Sequence, residues 1–125
     1  MDLPIETPGQ SIRPIPNKSG EYDILFHGQK AGHIQVRMNQ NPMQLAYHGH
    51  IEYTISPRFR GHGLARKACE SLQKHLLNQG AKSLWLTCEI SNLPSIKTIE
   101  HLGAQLRGKI TLPTGEIRYR YIWTL

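Results

Sequence analysis

The stretch Arg58-Phe59-Arg60-Gly61-His62-Gly63-Leu64-Ala65 combines the residue types that hold an anion, and it stands between a strand-like segment, Ile51 to Ile55, and a helix-like one, Leu64 to Gln79. The first turn of a helix exposes unpaired backbone N–H groups at the positive end of the helix dipole. Glycines let a phosphate approach those groups closely. Backbone donors do not depend on side-chain identity, so His62 and Leu64 are acceptable between the small residues. A large residue at Gly61 or Gly63 would obstruct the phosphate. Arg58 and Arg60 add positive charge there, although solvated arginines beside a turn are the plainer reading of either.

Other reactive side chains are less tightly grouped. His48, His50 and Glu52 on or before the central strand, and Glu89 after the next one, are candidate proton acceptors. His50 and Glu52 share one strand face with Thr54 and Ser56, opposite Ile51, Tyr53 and Ile55, so that face could meet a helix layer instead of a cleft. Tyr53, Tyr119 and Tyr121 could donate a proton, yet alternating tyrosines on a strand also pack. His48-Gly49-His50 could chelate a metal because i and i+2 project together from a strand, but no third ligand stands at a diagnostic spacing, and no metal is expected. Cys69 in a helix and Cys88 in a strand read as reduced, buried thiols and not as nucleophiles. Asn92 suits the start of a helix, where it satisfies free N–H groups, and is equally able to bond a ligand amide.

The chain of 125 residues fits one compact domain. Fifteen Lys+Arg against nine Asp+Glu give a net charge of +6, which favours anionic partners. The basic residues form no block of five or six, so a small phosphorylated ligand ranks above a long polyanion, and no nucleic acid is expected. The start, Met1 to Glu6, lacks a basic segment followed by an apolar one, and no apolar run approaches the ~20 residues of a membrane span. No membrane association is expected, and a cytoplasmic location is the default.

The elements that must position the loop follow from periodicity. Residues 1–20 hold four prolines, Pro4, Pro8, Pro14 and Pro16, and read as an extended Pro-rich arm ahead of a domain over residues 21–125. Tyr22 to Phe26 and Gly32 to Arg37 flank the turn residues His27 to Ala31 as a hairpin. Asn39-Gln40-Asn41-Pro42 reads as a polar break, and His50 to Ile55 alternates as a half-buried strand. Leu64, Ala68, Leu72 and Leu76 form the apolar stripe of a helix that Gly80 ends, and Ser83 to Cys88 follows as a strand. This strand-helix-strand crossover should be parallel and right-handed. Asn92-Leu93-Pro94-Ser95 opens a second, short helix stopped by Gly103, and residues 105–112 and 117–125 form a closing hairpin.

These residues resemble the GCN5-related N-acetyltransferase (GNAT) superfamily. Its Arg/Gln-x-x-Gly-x-Gly/Ala signature is met by Arg58, Gly61 and Gly63, with a strand before and a helix after. A second element, Asn92-x-x-Ser95 followed by Ile99-Glu100-His101-x-Gly103, is similar to the family's Asn-x-x-Ser…Tyr-Glu-Lys-x-Gly segment. The matches span about residues 21 to 125 and are nearest to bacterial acetyltransferases with a Pro-Ser-Ile-Lys-type second motif and an Arg-Tyr-rich last strand. The resemblance implies an α/β (α+β) fold: a mixed, mostly antiparallel twisted sheet with a central strand-helix-strand unit, its N-terminal helices shortened or absent. It implies acetyl-CoA as cofactor. Arg58 and the turn Arg60, Gly61, His62, Gly63, Leu64 and Ala65 would hold the pyrophosphate, Ile55 the pantetheine, and Asn92 and Ser95 further cofactor groups. Glu52 and His50 are the catalytic candidates.

Two departures bear on activity. The family's proton-donating tyrosine aligns with Ile99, which has no proton to give, although a CoA thiol with a pKa near ~8.5 leaves tolerably as a thiolate. The family also places one strand and two helices ahead of the hairpin, and the ~20 residues here cannot supply two helices of ~11 residues. That leaves an open acceptor site, a wall borrowed from a second subunit of a homodimer, or a large acceptor such as a protein N-terminus or lysine. The expected function is direct acetyl transfer to an amine of a small molecule or peptide, with strand amides near Ile55 stabilising the oxyanion. The alternatives are a catalytically inactive acyl-CoA-binding module and, below it, a basic nucleic-acid-binding domain.

Overall fold

The computed structural model describes residues 9–38 and 41–125, and among these it contains seven strands and three α-helices. They are β1 (Gln10–Pro14), β2 (Glu21–Phe26), β3 (Gln29–Val36), α1 (Pro42–His48), β4 (Ile51–Ile55), α2 (Leu64–Asn78), β5 (Ser83–Glu89), α3 (Leu93–His101), β6 (Gln105–Thr111) and β7 (Ile117–Thr124). A single 3-10 turn, Pro57–Phe59, joins β4 to the loop before α2. Strands follow the hydrogen-bonded order β1-β2-β3-β4-β5-β7-β6; the β1/β2, β2/β3, β5/β7 and β6/β7 pairs are antiparallel and the β4/β5 pair is parallel, Ile51 facing Leu86. The mixed, mostly antiparallel sheet is as the sequence implies.

The chain divides into two compact units that share β4 between them. The first comprises the described residues up to Val36 together with Tyr53–Gly80. Its core is Ile12, Ile24, Ile34, Ala68, Cys69 and Leu72, all fully buried. Of the expected Pro-rich arm, residues 1–8 lie outside the described residues. Gln10–Pro14 is extended but paired with β2 as an edge strand, Ile12 against Ile24. An edge tolerates Pro14, whose missing N–H costs no ladder bond there. β1 turns directly into β2 through residues 15–20, so no helix intervenes between them. The β2/β3 hairpin closes through only His27 and Gly28, both at positive φ (50° and 79°), the conformation of a two-residue turn that matches strand twist. In α2 the apolar stripe is buried, with Ala68, Cys69 and Leu72 at 0% exposure.

The second unit comprises Arg37–Glu52 and Ala81–Leu125. Its core is Ile51, Leu84, Leu86, Ile99, Tyr121 and Trp123, drawn from β4, β5, α3 and β7. Here the structure adds a helix that periodicity did not disclose. Of the expected polar break Asn39–Pro42, positions 39 and 40 lie outside the described residues; the Asn41 side chain accepts from the Gln44 N–H at 2.9 Å, and Pro42 occupies the first turn of α1. Both are helix-start signals, and α1 packs against β5. No helix among the described residues is long and apolar enough to cross a membrane.

Candidate active site

In the first unit, the segment after β4 makes the expected turn. Ile55 ends the strand, Ser56 donates its N–H to Ala31 O at 2.8 Å, and Gly61 and Gly63 adopt φ of 89° and 69°. Nothing lies within 4 Å of the position a Cβ would take at Gly61, and at Gly63 only the end of the Lys67 side chain comes within that distance, at 3.8 Å. Gly63 is the N-cap of α2, so no side chain caps the helix, and no acidic residue occupies its first turn. The first turn of α2 therefore presents the positive end of the helix dipole with no side-chain cap and no competing carboxylate. That arrangement fits a diphosphate.

The surrounding side chains hold the turn in shape. Arg60 Nε donates to Ile55 O at 3.1 Å, bending the chain back on the strand end, and Lys67 Nζ donates to His62 O at 3.1 Å. Arg58 donates to Gln29 Oε1 at 3.0 Å and lies over the Phe59 ring, 4.6 Å from its centroid. Phe26, at the end of β2, receives both Phe59 edge-on and the His62 ring at 4.9 Å. Sequence reasoning missed this aromatic clasp, because it joins residues more than thirty positions apart. On the inner side of α2, Leu64 is buried and its carbonyl accepts from the buried Gln10 side chain at 2.9 Å, so β1 also fixes the start of the helix.

In the second unit, Asn92 caps α3, its Oδ1 accepting from Ser95 N–H at 3.3 Å. The helix-start reading of Asn92 thus accounts for its oxygen and leaves its amide NH2 available. Ser95 hydrogen-bonds the Cys88 side chain, which opposes the effect of burial that raises the Cys88 thiol pKa. Cys69 is fully buried, and burial followed by the neighbouring Glu70 carboxylate pushes its thiol up to about 12. Neither thiol is poised as a nucleophile. Ile99, at the position of the family tyrosine, is fully buried. Tyr121 is buried as well, and desolvation first, then Cys88, Glu100 and Tyr119, pushes its phenol up to about 12.

The two catalytic candidates behave differently. His50 sits one residue before β4, and its Nδ1 accepts the Trp85 N–H at 2.8 Å while its own N–H donates to Trp85 O at 2.8 Å. A backbone N–H can only donate, so Nδ1 must be the unprotonated nitrogen and Nε2 carries the hydrogen. Burial also lowers the His50 pKa. The ring clasps β5, its Nδ1 lone pair taken up by the Trp85 N–H. Glu52 remains half-exposed, its two oxygens contacting Arg37 at 2.7 Å and His48 Nδ1 at 3.2 Å. Among the described residues no group of three His, Cys, Asp or Glu is placed to hold a metal ion.

The family model for the GNAT acetyltransferases matches residues 8–104, most of the chain, and includes both the two-glycine turn and the Asn92 helix. The chain belongs to the GNAT acetyltransferase family. Solved structures agree on the fold. An apo crystal form of RimL, a ribosomal L7/L12 alpha-N-protein acetyltransferase, aligns with a TM-score of 0.76 at 14% identity, covering 99% of this chain and 98% of that one. A GNAT-family acetyltransferase from Bacillus anthracis aligns with a TM-score of 0.71 at 18% identity over 84% of this chain and 66% of that one. The microcin C7 self-immunity acetyltransferase MccE, in complex with acetyl-CoA and AMP, aligns with a TM-score of 0.69 at 19% identity, covering 84% of this chain and 60% of that one. Against other acetyltransferase structures that it matches, MccE among them, the chain spans about three-fifths of their length. The search of curated proteins returned no match.

Proposed function

We propose that this GNAT-family chain is an N-acetyltransferase that takes its acyl group from acetyl-CoA and passes it directly to an amine of a small molecule or peptide. The observation that carries the reading is the two-glycine turn opening onto the uncapped, acid-free N-terminus of α2. Gly61, His62, Gly63, Leu64 and Ala65 would offer backbone N–H groups to the diphosphate, with Arg58 and Arg60 adding charge. The Ile55 backbone and the Asn92 amide would bond the pantetheine arm. Ser95 would act at the start of α3, next to Asn92.

Bound acetyl-CoA supplies the thioester carbonyl. The acceptor nitrogen bonds to that carbon, the C–S bond breaks with its electron pair leaving on sulfur, and the nitrogen gives up a proton. Neither cysteine is called on, which is consistent with the raised pKa of both thiols. With Ile99 in place of a tyrosine, the thiolate departs without a side-chain acid at that position, as its own acidity permits.

The vacancy at Ile99 also favours a second reading, an acyl-CoA-binding module without turnover. Thermal-shift measurements with acetyl-CoA, CoA and ATP, followed by detection of released CoA thiol with a panel of amines and peptides, separate the possibilities. A selective response to the two CoA compounds with thiol release supports the enzyme. The same response with no release from any acceptor supports the module, and equal response to ATP, or none to CoA, refutes both.

A further inference from the structure

Residues 105–124, the β6/β7 hairpin, carry Arg107, Lys109, Arg118 and Arg120 against one carboxylate, Glu116. That carboxylate is taken: it accepts from Arg118 Nη1 at 2.9 Å, and the rest of the Arg118 fork donates to Thr87 Oγ1 and Thr87 O. Helix α1, which packs against β5 and β6, brings no acidic residue. Among the described residues β6 pairs with β7 alone and stands last in the sheet order, so its outer side presents a row of unpaired backbone N–H and C=O groups. Its side chains are exposed, apart from the half-buried Ile110.

Arg120 is a cation that the fold prepares and does not use. Its guanidinium lies over the Trp85 ring, 4.2 Å from the centroid, and among the described residues its buried Nε has no hydrogen-bond acceptor. Stacking on the indole fixes the plane of the fork, and the donors beyond Nε are left for a planar anion. Across the ladder from Arg120 stands Gly108, and nothing lies within 4 Å of the position of its Cβ. At that level β6 puts no side chain between Arg120 and the open edge. The next residue, Lys109, belongs to the other face, where it lies over the Tyr119 ring.

We propose that the outer edge of β6 binds an extended acidic peptide segment, which adds to the sheet as a further strand. Its backbone satisfies the open N–H and C=O groups. One carboxylate reaches across Gly108 to Arg120, and the carboxylate of the adjacent residue, on the opposite face, meets Lys109. Two consecutive acidic residues therefore serve both cations. A second copy of this chain is a poor occupant, because pairing two β6 edges sets Arg107 and Lys109 against the same cations, and like charges across a ladder repel. The edge lies wholly within the second unit and is independent of the acetyl-transfer reading.

The probe is a peptide with no amine to acetylate: N-acetylated, C-amidated Thr-Val-Glu-Glu-Val-Thr, beside its Gln-Gln counterpart. Added to the full chain, the Glu-Glu peptide should shift the Gln105–Thr111 amides saturably and slow hydrogen exchange at those facing outward. The Gln-Gln peptide should bind at least about tenfold more weakly, and Arg120→Gln should weaken binding of the Glu-Glu peptide about tenfold. Lys109→Gln should cost about two- to fivefold, and the exposed charge reversal Lys109→Glu more, which keeps a test in hand should Arg120→Gln fail to fold. No saturable shift, equal binding of the two peptides, or full affinity in a folded Arg120→Gln overturns the proposal. So does a β6 shift that grows with protein concentration as the sedimenting mass doubles, which gives the edge to a second copy. Glutarate that binds as tightly as the peptide, with the peptide giving no exchange protection on β6, reduces the site to one for small acids and overturns strand addition.

Discussion

Gly49 sits between the two histidines, and its replacement by alanine tests how tightly α1 is bound to β5. Its backbone has φ 69° and ψ −173°, a region open essentially to glycine alone, and a Cβ there would stand 2.6 Å from Trp85 O. Backbone strain of this kind costs about 1–3 kcal/mol. Relieving a backbone clash by shifting packed elements costs about 1–3 kcal/mol more. A destabilisation of about 2–6 kcal/mol follows. With an unfolding entropy of ~2.1 cal/mol/K per residue, the loss lowers Tm by roughly 8–23 °C. Gly61→Ala is the internal control: its φ is 89°, yet nothing lies within 4 Å of the added methyl. It should cost only the ~1–2 kcal/mol of a left-handed non-glycine residue. Urea titration and thermal unfolding of both variants give the comparison. Equal losses at the two positions, or a neutral Gly49→Ala, would refute the close approach of α1 to β5.

Further outcomes concern pH and capping. Cys69 and Tyr121 each titrate near 12 in the fold, above their ordinary values, so the folded state holds those protons after the unfolded chain has lost them. Stability should be intact below pH ~8.5 and fall as the pH rises from there toward 12, which urea midpoints across that range would show. His50 is shifted the other way, so the unfolded chain takes up its proton first, and stability present above pH ~6.5 should decline as the pH falls below it. Asn92→Ala removes the cap of α3 and should cost about 1 kcal/mol by chemical denaturation; a larger weakening of acetyl-CoA binding than this cap loss explains would identify the Asn92 amide as a ligand contact.

The parts of the fold written in local periodicity were legible from the residues. The stripe of α2 from Leu64 to Leu76, the Gly61/Gly63 turn, the β2/β3 hairpin and the Asn92 start of α3 all depend on neighbours within a few positions. Helix α1 escaped notice because its seven residues are too few to show a 3.6-residue period, although Asn41 and Pro42 carried the signal of a helix start. The role of His50 was illegible for another reason: strand alternation placed it beside Glu52, but its partner, the Trp85 amide, lies 35 positions along the chain. The Pro-rich character of the first 20 residues suggested an arm, whereas two buried side chains, Gln10 and Ile12, and an edge position suffice to make Gln10–Pro14 a strand.

Backbone amide mapping by ¹⁵N–¹H correlation during titration with acetyl-CoA tests the diphosphate-binding turn most directly. The amides of Gly61 to Ala65 should shift together and saturably, CoA should reproduce the effect, and Gly61→Val should abolish it while remaining folded. Shifts confined to other parts of the chain, or full binding by a folded Gly61→Val, would contradict the assignment of this turn.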